Sequence, residues 1–349
     1  METINTPSNL PSVAVVILSW NGKSFLEQFL PSVVKSTYPN CKIYVADNAS
    51  TDDSVPYVHD HYPDVEVLEL GGNLGYAGGY NEALKRIESD YFVLLNQDVE
   101  VPENWIEPVI ELMESDRSVA ACQPKIKQFQ NRNMFEYAGA AGGWIDRYGL
   151  PFCQGRIFDD YERDIGQYDQ PCEIFWASGA ALFVRSQVYH ETGGLDEDFF
   201  AHMEEIDLCW RMKLAGFKVM NCPSSEVYHV GGGSLPKGNP KKVYLNFRNN
   251  LIILAKNLPA DRLYKKLLLR MILDQVASFR GLTHGLPKDW LAVQKAHLHF
   301  LQSWKTCLQK RTEIQRKVNN PNYSGVYHRS IVWDHFVLGK KRFSDLKPK

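Results

Sequence analysis

Four short apolar runs punctuate the first hundred residues: VAVVILSW (13–20), KIYVADN (42–48), VEVLEL (65–70) and YFVLLN (91–96). Their length is that of buried strands, and each is followed by a stretch of helical periodicity, over 23–36, 52–61, 76–88 and 103–114. Strands that alternate with helices need crossover connections, so the pattern predicts an α/β fold whose mostly parallel central sheet is covered on both faces. Residues Ser50 to Asp53 supply capping groups for the second helix, and Pro102 with Glu103 opens the fourth.

The regularity weakens after 119. VAACQPKI and EIFWASGAALFV are strand candidates on either side of a Gly-, Tyr- and Asp-rich middle (137–170) that reads as long loops. MEEIDLCWRMKLA (203–215) is an amphipathic helix closed by Gly216, and KVMNCPSSEVYHV leads into the loop GGGSLPKGNP. From 241 the pattern is helical, over 241–257, 261–280, 288–317 and 327–338. The expected division is a unit over 1–257, with halves at about 11–125 and 126–257, and a helical extension over 258–349.

Composition narrows the class. With 349 residues, 44% of them apolar, and a net charge of −2, the chain is expected to fold around a sizeable core. The longest uncharged apolar stretch, Ile174 to Val184, is well short of the roughly 18 residues a spanning helix needs, and METINTPSNLP lacks a basic segment followed by an apolar one. The seven cysteines are scattered without any CxxC pair, which suits reduced, buried thiols in a cytoplasmic protein. The small net charge hides an asymmetry: residues 1–254 carry 20 Lys and Arg against 35 Asp and Glu, and residues 255–349 carry 19 against 6. The basic part is expected either to pack on the rest with its lysines in water or to touch the anionic inner face of the plasma membrane as a peripheral contact. No nucleic-acid motif accompanies it, and no pattern sets an oligomeric state.

In an open parallel sheet, ligands bind outside the carboxyl ends of the strands. Those ends are Ser19-Trp20-Asn21, Asp47-Asn48, Gly71-Gly72-Asn73 and Asn96-Gln97-Asp98, with Asp52 shortly after the second. Taken alone, Asp47 to Asp52 is turn and cap chemistry. Asp98, directly after an apolar strand, offers hard oxygen to Mg²⁺ or Mn²⁺. No glycines stand in G-x-G-x-x-G spacing, which removes the dinucleotide fingerprint of a dehydrogenase. Gly22-Lys23-Ser24 lacks the first glycine of a phosphate-binding loop.

The ordered series SVAVVILSWNG, VADNASTDDS, GGNLGYAGGYNEAL, LLNQDVEVP, FWASGAALFVRS, GGLDEDFFAHMEEIDLCWR, YHVGGGS and YLNFRNNLIILAKN closely resembles the family 2 inverting glycosyltransferases of the GT-A fold, in particular their bacterial rhamnosyltransferase-like branch. The resemblance covers about 13–257. It implies sugar transfer from a nucleotide-diphosphate sugar, with Mg²⁺ or Mn²⁺, to a glycan or lipid-linked saccharide in cell-surface polysaccharide synthesis. Rhamnose from dTDP-rhamnose is the donor the branch suggests. By position, Ser19, Trp20, Asn21, Asp47, Asn48 and Asp52 match the base and ribose side of the donor site, and Asn73, Gly75 and Tyr76 match the loop over the nucleotide. Asn96-Gln97-Asp98 stands at the DXD position, with Asn in place of the first acid and Asp98 at the metal-binding last acid. His229 matches a position near metal and diphosphate, and Arg248 and Asn249 match a pair that grips diphosphate. Trp176, Ser178 and Gly179 match the acceptor side, where Trp176 equally fits a core position. Glu205 matches the catalytic base, with Glu204 as the alternative, and Asp207 and Arg211 stand at i,i+4, where they can pair. Two other readings compete: a catalytically silent sugar-nucleotide scaffold, and a sugar-phosphate nucleotidyltransferase, for which SWNGKSF is a poor glycine-rich basic loop.

Overall fold

A computed structural model describes residues 10–231 and 239–347, so most of the glycine loop after His229, and the first nine residues examined for a leader, lie outside the described residues. The elements run β1 (Val13–Ser19), α1 (Lys23–Val33), β2 (Cys41–Asp47), α2 (Ser54–His61), β3 (Glu66–Glu69), α3 (Gly75–Leu84), β4 (Tyr91–Asn96), β5 (Val99–Glu100), α4 (Glu107–Ser115) and β6 (Val119–Gln128). Then come β7 (Gly143–Asp146), β8 (Pro151–Cys153), β9 (Arg156–Ile157), β10 (Asp160–Tyr161), β11 (Ala181–Arg185), α5 (Ser186–Thr192), α6 (Glu204–Leu214) and β12 (Lys218–His229). The C-terminal part adds α7 (Pro240–Asn257), α8 (Leu263–Thr283), α9 (Pro287–Gln302), α10 (Trp304–Arg316), β13 (Val326–Tyr327), α11 (Ile331–Phe336) and α12 (Phe343–Leu346).

The main sheet has the order β3-β2-β1-β4-β11-β6-β12-β5. Its first four strands are parallel, as the alternation of strand and helix predicts, with Ser19 in register with Asp47. Beyond β4 the sheet becomes mixed: β11 runs antiparallel between β4 and β6, and β5 runs antiparallel to the end of β12. Apolar clusters fill both faces. One lies under α1 and α4, with Leu26, Leu30, Trp105 and Val109 against Val13, Val15 and Val93, and the other lies under α3, α6 and α7.

Four expectations change. The fourth helix begins at Glu107, because Val99 and Glu100 are drawn into the sheet by β12. The 137–170 region contains four short strands, which with β13 form a second sheet of order β10-β9-β8-β7-β13. Strands of two to four residues are too short to show a period of two, and β13 comes from nearly two hundred residues downstream of β7. Of the EIFWASGAALFV run only the last four residues are strand, as the start of β11. The helix expected over 288–317 is also broken, at Ser303, into α9 and α10. Among the described residues no helix is long and apolar enough to cross a membrane.

The C-terminal helices are wired into the body of the fold. Lys256 of α7 is buried, and its Nζ lies 2.5 Å from Asp196 and 2.9 Å from Asp207. Lys310 of α10 reaches Asp196 at 2.5 Å and Asp198 at 2.6 Å. Within α6, Arg211 Nε donates to Asp207 at 2.8 Å, the i,i+4 pair expected from spacing, and Asn257 donates to the other Asp207 oxygen at 2.8 Å. Three acids therefore face three cations. Burial opposes ionisation of Asp207, but Lys256 and Arg211 hold its carboxyl below the usual range. Removing one member of a buried pair leaves an uncompensated charge, which costs more than the pair contributes. Lys256→Met is accordingly expected to lower unfolding free energy by about 3 kcal/mol or more, read as a fall in the urea midpoint at unchanged slope.

Candidate active site

The carboxyl ends of β1, β2 and β4, the loop before α3 and the start of α6 carry most of the residues that the sequence singles out. At the end of β1, Ser19 is buried and its hydroxyl donates to Gln97 Oε1 at 3.0 Å. Trp20 beside it is exposed. Asn21, at a φ of 48°, accepts the Thr51 N–H at 2.7 Å. Asp47 is buried at the end of β2: Oδ2 accepts the Ser50 N–H at 3.1 Å, and Oδ1 has no partner. Asp52 takes the Lys23 N–H at 3.1 Å and the Ser54 N–H at 3.1 Å, so its carboxylate caps the first turns of α1 and α2.

Asn48 and Asn73 shape the loop before α3. Asn48 accepts the Leu74 N–H at 2.9 Å and donates to Gly75 O at 3.1 Å, while Asn73 accepts the Gly75 N–H at 3.0 Å. Gly75 has a φ of +71°, and a Cβ there would stand 2.7 Å from Phe200, so both the backbone angle and the close approach require glycine. The next residue ties this loop to the rest: Tyr76 N–H donates to Phe200 O at 2.8 Å, and its hydroxyl donates to Gly179 O at 2.7 Å.

Asp98 and His229 meet across the β5–β12 pairing. His229 Nε2 lies 3.2 Å from Asp98 Oδ1 and 3.4 Å from Asn96 Nδ2, and Nδ1 lies 3.2 Å from Glu136 Oε2. All three ionisable groups are buried. Burial disfavours the imidazolium, but the two carboxylates override it and raise the His229 pKa to about 10. Both acids are in turn held below their usual range by His229 against the opposing effect of burial. Glu136 was not legible beforehand, since it sits in an irregular stretch 93 residues from its partner. Among the described residues no group of three or more His, Cys, Asp or Glu forms a complete cation cage. The Asp98 carboxylate fits a divalent cation that draws its other ligands from phosphate and water, and His229, charged here between two carboxylates, can ligate through Nε2 only once the proton there is displaced.

Glu204 and Glu205 open α6, after a segment in which Phe200, His202 and Met203 all have positive φ, at 63°, 68° and 78°. Such angles persist in non-glycine residues only where neighbours enforce them. Here Asn249 Nδ2 donates to the carbonyls of Phe199, Ala201 and His202 at 3.2, 2.9 and 2.7 Å, and Arg248 donates to those of Asp198 and Phe199 at 2.8 and 3.1 Å. The pair expected to grip diphosphate is thus turned onto this backbone. Glu204 is fully buried and Glu205 partly so, and each has one carboxylate oxygen without a partner. Burial raises the Glu205 pKa to about 7, and burial followed by the neighbouring Glu205 charge raises Glu204 further. Trp176 and Ser178, expected on the acceptor side, lie in the interior: Trp176 Nε1 donates to Trp144 O at 2.9 Å, and Gln123 Oε1 accepts the Ser178 N–H at 2.9 Å. Gly179 reaches the site through Tyr76. A polar cleft near Lys125, Lys127, Asp164 and Glu226 is lined by charges already paired with one another.

Residues 14–178 match Glycosyl transferase family 2. An N-acetylglucosaminyl-diphospho-decaprenol L-rhamnosyltransferase of Mycobacterium tuberculosis is 26% identical over 257 residues, covering 69% of this chain and 83% of that one. Among solved structures, GalNAc-T7 with UDP, GalNAc and Mn²⁺ superposes with a TM-score of 0.56 at 19% identity, over 71% of this chain and 48% of that one. The Pyrobaculum calidifontis mannosyltransferase PcManGT, in complex with GDP-Man and Mn²⁺, superposes at 0.51 and 15% identity over 90% and 88%. The two structures establish the fold, and the family match supports sugar transfer over nucleotidyl transfer or hydride transfer.

Asn249→Ala removes the donor from three carbonyls of the segment before α6 and leaves those of Ala201 and His202 without one, since Arg248 still reaches that of Phe199. It is expected to lower stability by about 2 kcal/mol or more and to speed amide exchange selectively across Phe199 to Met203, measured by hydrogen exchange with mass spectrometry.

Proposed function

We propose, from the premise that the chain belongs to the family 2 glycosyltransferases, that it moves a sugar from a nucleoside-diphosphate donor to a saccharide carried on a diphospho-lipid, with inversion. The observation that carries the mechanism is the unpartnered carboxylate oxygen of Glu205 on the first turn of α6. A carboxylate of near-neutral pKa is a stronger base than an ordinary one while a substantial fraction stays ionised at working pH. In this reading Glu205 deprotonates the acceptor hydroxyl as it attacks the anomeric carbon in line with the departing diphosphate. Glu204 is buried more deeply, and burial with the neighbouring Glu205 charge disfavours its ionised form, which opposes a second negative charge in the site.

The free Oδ1 of Asp47 suits an N–H of the nucleobase or a ribose hydroxyl, and the exposed Trp20 ring suits stacking on the base. Ser19, Asn21, Asn48, Asn73, Gly75 and Gln97 then act by holding the strand-end loops around the nucleotide. Asp98, with His229 once the cation has displaced its Nε2 proton, would hold the divalent cation, whose charge when bound offsets that developing on the nucleoside diphosphate. Glu136 fixes the His229 ring through Nδ1, the outer partner that metal-binding histidines commonly have. Arg248 and Asn249 serve the reaction through the backbone they hold rather than by direct contact with phosphate. The name of the mycobacterial relative supports rhamnose as the donor sugar and a diphospho-polyprenol-linked acceptor.

The test is a panel of UDP-, GDP- and dTDP-sugars with Mg²⁺ or Mn²⁺, with and without lipid-linked acceptor, in which released nucleoside diphosphate is quantified. The expected result is metal-dependent release of dTDP from dTDP-rhamnose, with Glu205→Gln slower by roughly 10²–10⁴-fold. Donor binding with no release under any acceptor condition would instead favour a silent scaffold. Because Glu205 works ionised and burial raises its pKa to about 7, kcat/KM is expected to rise with pH through an acid limb centred near that value. A flat profile between pH 5 and 8 would remove Glu205 from the role.

A further inference from the structure

Helix α8 buries one side, through Leu263, Leu267, Arg270, Asp274 and Ser278. On the other side Tyr264, Leu268, Ile272, Val276 and Phe279 are 52 to 69% exposed. Their spacings of four, four, four and three put them in one row, about 22 Å long at 1.5 Å per residue. Beside its C-terminal end, Arg280 lies over the Phe336 ring at 5.9 Å, which brings up the exposed Trp333 and Phe336 of α11 and Val337 just after it. Scattered exposed apolar residues are ordinary, but a continuous row of this length marks an interaction surface.

Charge decides what covers it. On α8, α9 and their connection, Arg262, Lys265, Arg280, Lys288 and Lys295 are exposed. The acids of the same stretch are Asp274, which is buried against Arg270, Asp261 just before α8, and Asp289 in the first turn of α9, so the bases outnumber the solvent-facing acids. In a twofold dimer through this row, each copy would set its basic rim against the same rim of the other, and like charges across an interface are costly. An anionic lipid surface satisfies both features: the apolar row enters the acyl boundary and the bases meet the headgroups.

We infer that α8, with α11 beside it, is a face that docks on anionic membrane. The helix lies in the plane of the surface and does not cross it. The inference rests on this surface alone and stands whichever donor the enzyme uses.

The test is sedimentation of the full chain with vesicles of phosphatidylcholine alone, or of phosphatidylcholine with phosphatidylglycerol as the minority lipid. Wild type is expected to partition onto the anionic vesicles at least tenfold more than onto neutral ones, less so as salt rises. Leu268→Ser with Phe279→Ser should lower anionic binding about tenfold or more, and Arg262→Gln with Lys265→Gln should erase the preference for anionic lipid. Both pairs are exposed, so unchanged circular dichroism and donor turnover are expected as controls. Equal wild-type partitioning onto both vesicles, or anionic binding untouched by either pair, overturns the inference. So does a wild-type dimer in sedimentation velocity that Leu268→Ser with Phe279→Ser converts to monomer, since that assigns the row to a second copy.

Discussion

The position of the proposed base depends on a closed group of charges beneath it. Asp207 stands two residues after Glu205 on the same helix, fully buried, and its two oxygens are taken by Arg211, Lys256 and Asn257. Arg211 also donates to the carbonyls of Thr192 and Gly194, and Lys256 and Lys310 share Asp196. A lone buried ion costs several kcal/mol, so these groups are tolerated only as a set in which each charge has partners. The set spans α6, the segment before it and helices α7 and α10. The C-terminal region is therefore part of the frame that fixes α6.

Above that frame the backbone is forced into angles it does not prefer. The carbonyls of Phe199, Ala201 and His202 converge on one Asn249 side chain, and Phe200 closes on Gly75 and Tyr76. The loop before α3 and the segment that presents Glu205 thus touch one another directly, through Tyr76 N–H and Phe200 O.

The basic surplus of the C-terminal third divides into two uses. Lys256, Lys310 and Arg311 point inward, Arg311 onto the carbonyls of Ala255, Lys256 and Leu258 that end α7. Arg262, Lys265 and Arg280 stay in solvent next to an apolar row. Net charge by itself joins these two groups, although they act against opposite surroundings, protein interior in one case and the outer surface in the other.

What the sequence by itself determined is what short range encodes. Apolar runs such as VAVVILSW and YFVLLN are strands because their neighbours along the chain fit no other buried element, and the acids that close them, Asp47 and Asp98, lie at the carboxyl edge for the same reason. The i,i+4 pair Asp207–Arg211 follows from helix geometry. Family motifs located Glu205, His229, Arg248 and Asn249 but not what those side chains touch. Only the tertiary structure decided that Glu136 sits on His229, that Lys256 and Lys310 close the charge group around Asp196 and Asp207, and that Trp176 is interior. It also decided that two- to four-residue strands from 143–161 and 326–327 share a sheet. Each of these depends on contacts between segments tens to hundreds of residues apart, where no periodicity links the partners and only the packing of the finished fold brings them together.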